Sequence, residues 1–352
     1  MGNNSAKRIV QFELLRILAM CGVVLNHVFN NGLLIYDDFS IDASSPLGFI
    51  LWSLLELLKL IALPSVNCYI LITGYFLIEN TQLRWKGIWK VWSETWFYAV
   101  GLYLLTVCLC IKSFSWHDLS GYATPILSNI YWFVTSYLFL IVLAPFIARA
   151  MKNATKRQYQ VVLAVGAVVC FQPFLGQFLM DSQNIILFVY LFLIGGYIRR
   201  YCHAKGHARI SPLLIYLGII ICMYAYTLYK NMGAGDSPYT VYAMAYHGLV
   251  LPLSVALFLW VKDWNIRSGV VKQGIYVLSP LSFAVYIVHS HPVVSELLWG
   301  FAGDWLRSVH ELALPICVLA VTIIVYVVCV AIDSVRATIV KRLYSICRSA
   351  NS

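Results

Sequence analysis

Hydrophobic positions along this chain gather into long, nearly unbroken runs separated by short polar or basic connections, without the apolar/polar alternation of a membrane β-barrel strand. A helix needs roughly 20 apolar residues to cross a hydrocarbon core. Ten runs meet or approach that length, at about 9–29, 62–79, 91–111, 131–148, 158–180, 185–198, 210–229, 239–261, 274–298 and 311–333. Residues 47–61 are left over. They carry Trp52, Glu56 and Lys59 in a helical rhythm ahead of Pro64, which predicts an interfacial or half-inserted helix. The expected fold class is therefore all-α: a polytopic transmembrane bundle of about ten spans, with a short fifth-to-sixth connection around Asp181. No solenoid-type repeat appears, so 1–352 is read as one integral-membrane domain, with spans over about 9–333 and a short basic tail at 334–352.

Composition removes the soluble alternative. Hydrophobic residues make up 61% of the chain and charged ones only 11%, against about 25% charged in ordinary soluble domains. The net charge of +10 reads as membrane topology and not as nucleic-acid binding once its distribution is followed. With the N-terminus inside, 20 of the 25 Lys and Arg fall on inner segments: Lys7, Arg8; Arg84, Lys86, Lys90; Arg149, Lys152, Lys156, Arg157; Arg199, Arg200, Lys205, Arg209; Lys262, Arg267, Lys272; Arg336, Lys341, Arg342, Arg348. Outer segments hold only Lys59, Lys112, Lys230 and Arg307, so both termini are placed in the cytoplasm. Most of the ten cysteines lie inside the runs and none forms a Cys-x-x-Cys pair, which argues against a disulfide framework or a metal site. Met1 to Arg8 is a weakly basic leader without a small-x-small cleavage pattern, so the first span is expected to stay.

Against this background the first run, FELLRILAMCGVVLNH, is anomalous, because it holds Glu13, Arg16 and His27. A central Arg or Asp costs roughly 2.5–3.5 kcal/mol on insertion scales, so such residues usually face a partner or a cavity. Glu13 and Arg16, three apart, can pair on one helix face. The eleven residues from Arg16 to His27 return to within roughly 20° of the same direction and advance about 16 Å. The three therefore share one stripe, with snorkelling at the two interfaces as the alternative.

His289 follows Tyr286 by three residues and shares its face; a packing histidine and a catalytic or acceptor-binding one are both open. His291 points away and precedes Pro292, so a metal-binding His-x-His pair is not expected. Cys202, His203 and His207 in a basic loop are weighed as a metal site and set aside. Trp132 suits sugar stacking or the aromatic belt, and Asn67 and Tyr75 suit donor binding or helix packing.

Glu-x-x-Arg followed by Arg-x10-His, from Glu13 to His27, resembles the opening signature of the membrane acyltransferase-3 family, polytopic O-acyltransferases of bacterial surface polysaccharides, O-antigens and peptidoglycan. NCYILITGYFLI (Asn67 to Ile78), YWFV (Tyr131 to Val134) and SFAVYIVHSHP (Ser282 to Pro292) are similar to later family segments in the same order, and the likeness runs from about residue 8 to 335. Two departures stand out. Where the family often has Arg-x-x-Arg entering the third span, this chain offers Arg84, Lys86 and Lys90, and it ends without the extracytoplasmic domain that some members append.

The resemblance implies transfer of an acyl group, most often acetyl, from cytoplasmic acetyl-CoA to a hydroxyl of a cell-surface glycan or its lipid-linked precursor, at a bacterial inner membrane. For that reaction the residues themselves suit a catalytic set of His27, Arg16, Glu13 and His289, a basic cluster of Arg16, Arg84, Lys86 and Lys90 for the donor phosphates, and substrate contacts from Trp132, Tyr286, Asn67 and Tyr75; the resemblance carries no individual assignment at Arg84, Lys86 or Lys90. Implied partners are the bilayer, the glycan acceptor and a separate extracytoplasmic transferase if a second step is needed; no metal or nucleic acid is called for. His27 then serves as general base or as acyl-accepting nucleophile. The rivals are a glycan or lipid transporter, which predicts related halves with interrupted helices, and a non-catalytic receptor.

Overall fold

The computed structural model describes residues 8–34, 40–170, 185–202, 211–232, 239–240 and 247–349. Within them the architecture is helical: α1 (Val10–His27) running into a π turn (Val28–Leu33), α2 (Pro46–Ala62), α3 (Ser65–Leu77), α4 (Trp85–Cys108), α5 (Trp116–Ala123), α6 (Trp132–Met151) and α7 (Lys156–Cys170). There follow α8 (Ile185–Tyr201), α9 (Pro212–Met232), α10 (His247–Lys262), α11 (Gly269–Leu278), α12 (Ser282–His289), α13 (Pro292–Ser308) and α14 (Leu314–Ser349). A two-residue antiparallel pairing, β1 (Ser40–Ile41) with β2 (Tyr239–Thr240), joins two connecting segments. Among the described residues, six helical stretches are long and apolar enough to cross a membrane: Val10–Leu33, Pro46–Leu77, Trp132–Met151, Pro212–Met232, Gly269–His289 and Glu311–Arg342. The chain is a multi-pass, all-helical membrane protein.

Helix α1 lies at the centre, touching α2, α3, α10, α11, α12 and α14. Its apolar side chains Phe12, Leu15, Val24 and Leu25 are buried, whereas Arg16 and His27 keep partial exposure. Outward-facing helices show the reverse pattern, with exposed apolar residues such as Phe146, Ile221, Ile316 and Ile323. In lipid that is the favoured arrangement, since hydrocarbon solvates these side chains and the polar groups turn inward.

Several predicted boundaries move, each for an identifiable reason. The segment 47–61 is helical and is enclosed by other helices: α2 packs on α1 and α9, and Trp52, Glu56 and Lys59 are fully buried. Pro64 breaks the run, because it lacks an N–H and ends the ladder. The carbonyl of Ala62 freed at this break accepts from Asn26 Nδ2 at 2.8 Å and from Ser65 Oγ at 2.6 Å. The stretch Pro46–Leu77, the break at Leu63 and Pro64 included, makes 32 residues, about 48 Å at 1.5 Å per residue against a hydrocarbon core of about 30 Å.

The predicted span 239–261 is not helical at its start, since Tyr239–Thr240 is strand, and its described helix runs over His247–Lys262. The predicted span 274–298 is interrupted by a 3₁₀ turn at Ser279–Leu281 and stops at His289, where Pro292 starts the separate helix α13 from its first turn. The last helix does not end near residue 333; it continues to Ser349. The predicted span 158–180 is helical as far as Cys170, and Asp181 lies outside the described residues.

Helices α3 and α8 approach backbone to backbone. A Cβ on Gly74 would stand 2.1 Å from the Phe192 carbonyl oxygen, and one on Gly195 would stand 2.3 Å from that of Leu71. Small residues of this kind let membrane helices close-pack where no hydrophobic force drives them together. Gly195→Ala is expected to lower stability by about 1–3 kcal/mol through overpacking. Gly218→Ala on α9, where a Cβ meets nothing within 4 Å, is expected to be neutral or slightly stabilising. Thermal unfolding of both variants in one detergent checks the contrast.

Candidate active site

Two helix ends meet at the centre of the site. His27 closes α1 and His289 closes α12, and their Nδ1 and Nε2 atoms lie 3.0 Å apart. His289 Nδ1 also lies 2.5 Å from the Val285 carbonyl one turn earlier. Because a carbonyl only accepts, Nδ1 of His289 carries the hydrogen, and in the neutral ring its Nε2 is a lone pair. That lone pair accepts from His27 Nδ1–H, which leaves Nε2 of His27 as the basic nitrogen. His289 is fully buried and His27 partly exposed, so the inner ring orients the outer one.

Trp299 on α13 sets its ring edge-on to both imidazoles, at centroid distances of 6.2 Å from His27 and 5.9 Å from His289. Tyr286, one turn before His289, lies 6.2 Å from it centroid to centroid and packs on the ring of Phe133, in the first turn of α6, at 5.6 Å. Tyr131 packs against Tyr286 at 6.1 Å. The Tyr131 hydroxyl and Trp299 Nε1 are buried donors with no hydrogen-bond partner among the described residues. Such orphaned groups are rare in folded proteins and call for an explanation.

Further down the stripe, Arg16 and Glu13 pair at 2.8 Å, and Ser279 Oγ donates to the second oxygen of Glu13. The Arg16 carbonyl accepts from the Tyr69 hydroxyl at 2.7 Å, which ties α1 to α3.

Arg84, Lys86 and Lys90 line a cavity of about 620 Å³ together with Trp85, Asn80 and Tyr137. Aromatic rings join this cavity to the histidines. Tyr137 contacts Thr73 at 3.3 Å and stacks on Phe133, which packs on Tyr286 at 5.6 Å. Trp132 lies beside that line, against Phe133 and Phe188.

Other candidates lie elsewhere. Asn67 donates to Ser254 Oγ at 3.1 Å, a link between α3 and α10, and Tyr75 packs on Phe12 and Phe258 and accepts from Arg199. His291 turns from the pair, stacking on Tyr122 at 4.9 Å with Nε2 toward the Ala99 carbonyl. No group of three His, Cys, Asp or Glu poised for a metal occurs among the described residues. Of the cysteine and histidine loop, Cys202 is described as a free thiol, and His203 and His207 lie outside the described residues.

Two clusters escaped the sequence reading. Lys59 is fully buried, donates to Asn30 in the π turn and lies 5.5 Å from the Phe29 ring centroid, with Glu56 one turn before it. Glu56 in turn accepts from Thr227 of α9 at 3.0 Å. The second cluster pins α4 to α14: Arg336 reaches Glu94 at 3.2 Å and Asp333 at 2.5 Å, and Tyr98 donates to Asp333 at 2.8 Å. The available signals were Glu56 and Lys59 three apart, and Glu94 and Asp333 inside apolar runs.

A family model described as an acyltransferase domain matches residues 9–333 of the chain. This protein is a membrane acyltransferase. It belongs to the acyltransferase-3 family. No curated protein and no solved structure matches the chain.

Tyr131→Phe deletes an orphaned hydroxyl without changing ring volume, so it is expected to leave the melting temperature unchanged or raise it. Lys59→Met removes a buried cation that faces Glu56 and is expected to cost about 3–5 kcal/mol. Adding Glu56→Gln is expected to recover part of that loss. Chemical denaturation of the single and double variants measures both effects.

Proposed function

We propose that the protein carries an acyl group, acetyl in the simplest case, from cytoplasmic acetyl-CoA to a hydroxyl of a cell-surface glycan or its lipid-linked precursor, in a bacterial inner membrane. The observation that carries this reading is the His27–His289 contact, in which the Val285 carbonyl selects the tautomer that leaves Nε2 of His27 free. About ten spans with both termini in the cytoplasm accompany the proposal. Its support is the alternation of helices and connections together with the inner placement of 20 of the 25 basic residues.

In this frame Arg84, Lys86 and Lys90 face the cytoplasm and hold the phosphates of the donor. Arg16, which pairs with Glu13 and is not among the residues lining that cavity, stands nearer the histidines, and the thioester arm lies along the ring-lined path toward His27. Nε2 of His27 takes the proton of the acceptor hydroxyl while that oxygen forms a bond to the thioester carbonyl carbon. The C–S bond then breaks, and the coenzyme leaves as a thiolate that the His27 imidazolium protonates. His289 accepts the Nδ1 hydrogen bond throughout and stabilises the imidazolium. The Tyr131 hydroxyl and Trp299 Nε1 are placed as donors to substrate oxygens, which accounts for their lack of a protein partner.

His27→Ala is expected to reduce acyl transfer about 10²–10⁴-fold, the usual worth of a positioned base. Arg16→Ala is expected to weaken donor use, and His289→Asn to reduce turnover with little change in the donor KM. The check is surface-glycan O-acetyl content in cells holding equal membrane amounts of each variant, followed by single-turnover assays on membranes. Undiminished acetylation with His27→Ala overturns the assignment. Loss of glycan export with acetylation intact points to transport instead.

A further inference from the structure

On the other side of the α3 end from the Arg84 cavity lies a second polar cavity, of about 580 Å³. Phe76 and Glu79 line this one, whereas their neighbours Leu77 and Asn80 line the first. Its walls come from four separate parts of the chain. Arg8 and Gln11 stand at the start of α1, Arg199 near the end of α8, and Lys272 and Tyr276 on α11.

The charges do not balance. Three cations line the cavity, and its one carboxylate, Glu79, is already held by Arg200 at 2.7 Å. Arg8, Arg199 and Lys272 have no acidic partner among the described residues. The arginines are nonetheless positioned. Arg8 donates to the Tyr276 carbonyl at 3.2 Å while the Tyr276 hydroxyl donates to the Arg8 carbonyl at 3.2 Å, a reciprocal clasp between α1 and α11. Arg199 is braced by the Tyr75 hydroxyl at 3.3 Å and lies 5.1 Å from that ring's centroid. Surface lysines seeking only the positive side of a membrane need no such bracing. Two fixed guanidinium forks and a mobile ammonium around one hollow suit a group that offers several oxygens and at least two negative charges.

We infer that this cavity is a phosphate-binding site distinct from the Arg84 cavity, taking a phosphate group at the membrane surface. That chemistry has two sources: the headgroup of an anionic phospholipid, or the phosphates of a nucleotide such as the donor's own adenosine end. The site itself does not depend on the acetyl-transfer reading.

The test uses the full chain in nanodiscs of phosphatidylcholine, with or without phosphatidylglycerol. Native mass spectrometry reads retained phosphatidylglycerol, and calorimetry reads 3′,5′-ADP binding in the neutral discs. Arg8→Gln/Arg199→Gln/Lys272→Gln is expected to weaken one of the two by about tenfold or more, the effect of losing a single charge-assisted hydrogen bond. The arm that responds names the source. Arg8→Lys/Arg199→Lys, which keeps the charge and loses the forks, is expected to fall between wild type and the triple variant. Should the triple variant fail to fold, Lys272→Gln alone, at a half-buried position, is expected to weaken the same arm. Wild-type binding in both arms overturns the inference. A loss of 3′,5′-ADP seen only with Arg84→Gln/Lys86→Gln/Lys90→Gln, with phosphatidylglycerol retention unchanged in the Arg8/Arg199/Lys272 variant, also overturns it, while leaving the proposed donor cavity standing.

Discussion

Inside hydrocarbon a polar group has no water to turn to, and this constraint organises the molecule at every scale. It makes the backbone helical, and where Pro64 interrupts a helix it demands that another group meet the carbonyl set free at Ala62. Asn26, the residue beside His27, does so. The structural repair and the histidine pair thus occupy adjacent positions on α1. The same constraint confines ionic groups to clusters: Glu13 with Arg16 and Ser279, Lys59 with Asn30 and Glu56, and Arg336 with Glu94, Asp333 and Tyr98. Each cluster joins helices far apart in sequence, so the polar contacts also fix how the helices are arranged.

Within that frame the histidine pair is a small device with a clear logic. A ring nitrogen whose hydrogen is committed to a backbone carbonyl cannot change tautomer without losing that bond. His289 is therefore a fixed acceptor, and it passes the constraint to His27. Carboxylate-oriented histidines use a negative charge for the same purpose. Here a neutral carbonyl does it, which avoids placing another ion in the bilayer.

Local features were largely legible in the sequence. Glu13 and Arg16 pair as three-residue spacing requires, and the shared exposure of Arg16 and His27 follows from their eleven-residue interval. What spacing could not reach was the meeting of His27 with a residue 262 positions away. The burial of Lys59 was also hidden, because an interfacial helix and a buried helix with one ion cluster present the same rhythm; only packing on α1 and α9 separates them. Boundaries failed where a proline starts a helix inside an apolar run, as Pro292 does, since hydropathy averages over that break.

The π turn after His27 has a consequence for variation in length. Over Val28–Leu33 the ladder is looser than in α1, Gly32 packs against Gly303, and Arg307 holds the Gly32 carbonyl at 2.7 Å. A wide turn is how a helix absorbs one residue too many. The slack therefore sits just beyond His27, and the interval from Arg16 to His27 stays in strict α-helical phase. A ruler has its graduations on one side of this joint and its play on the other.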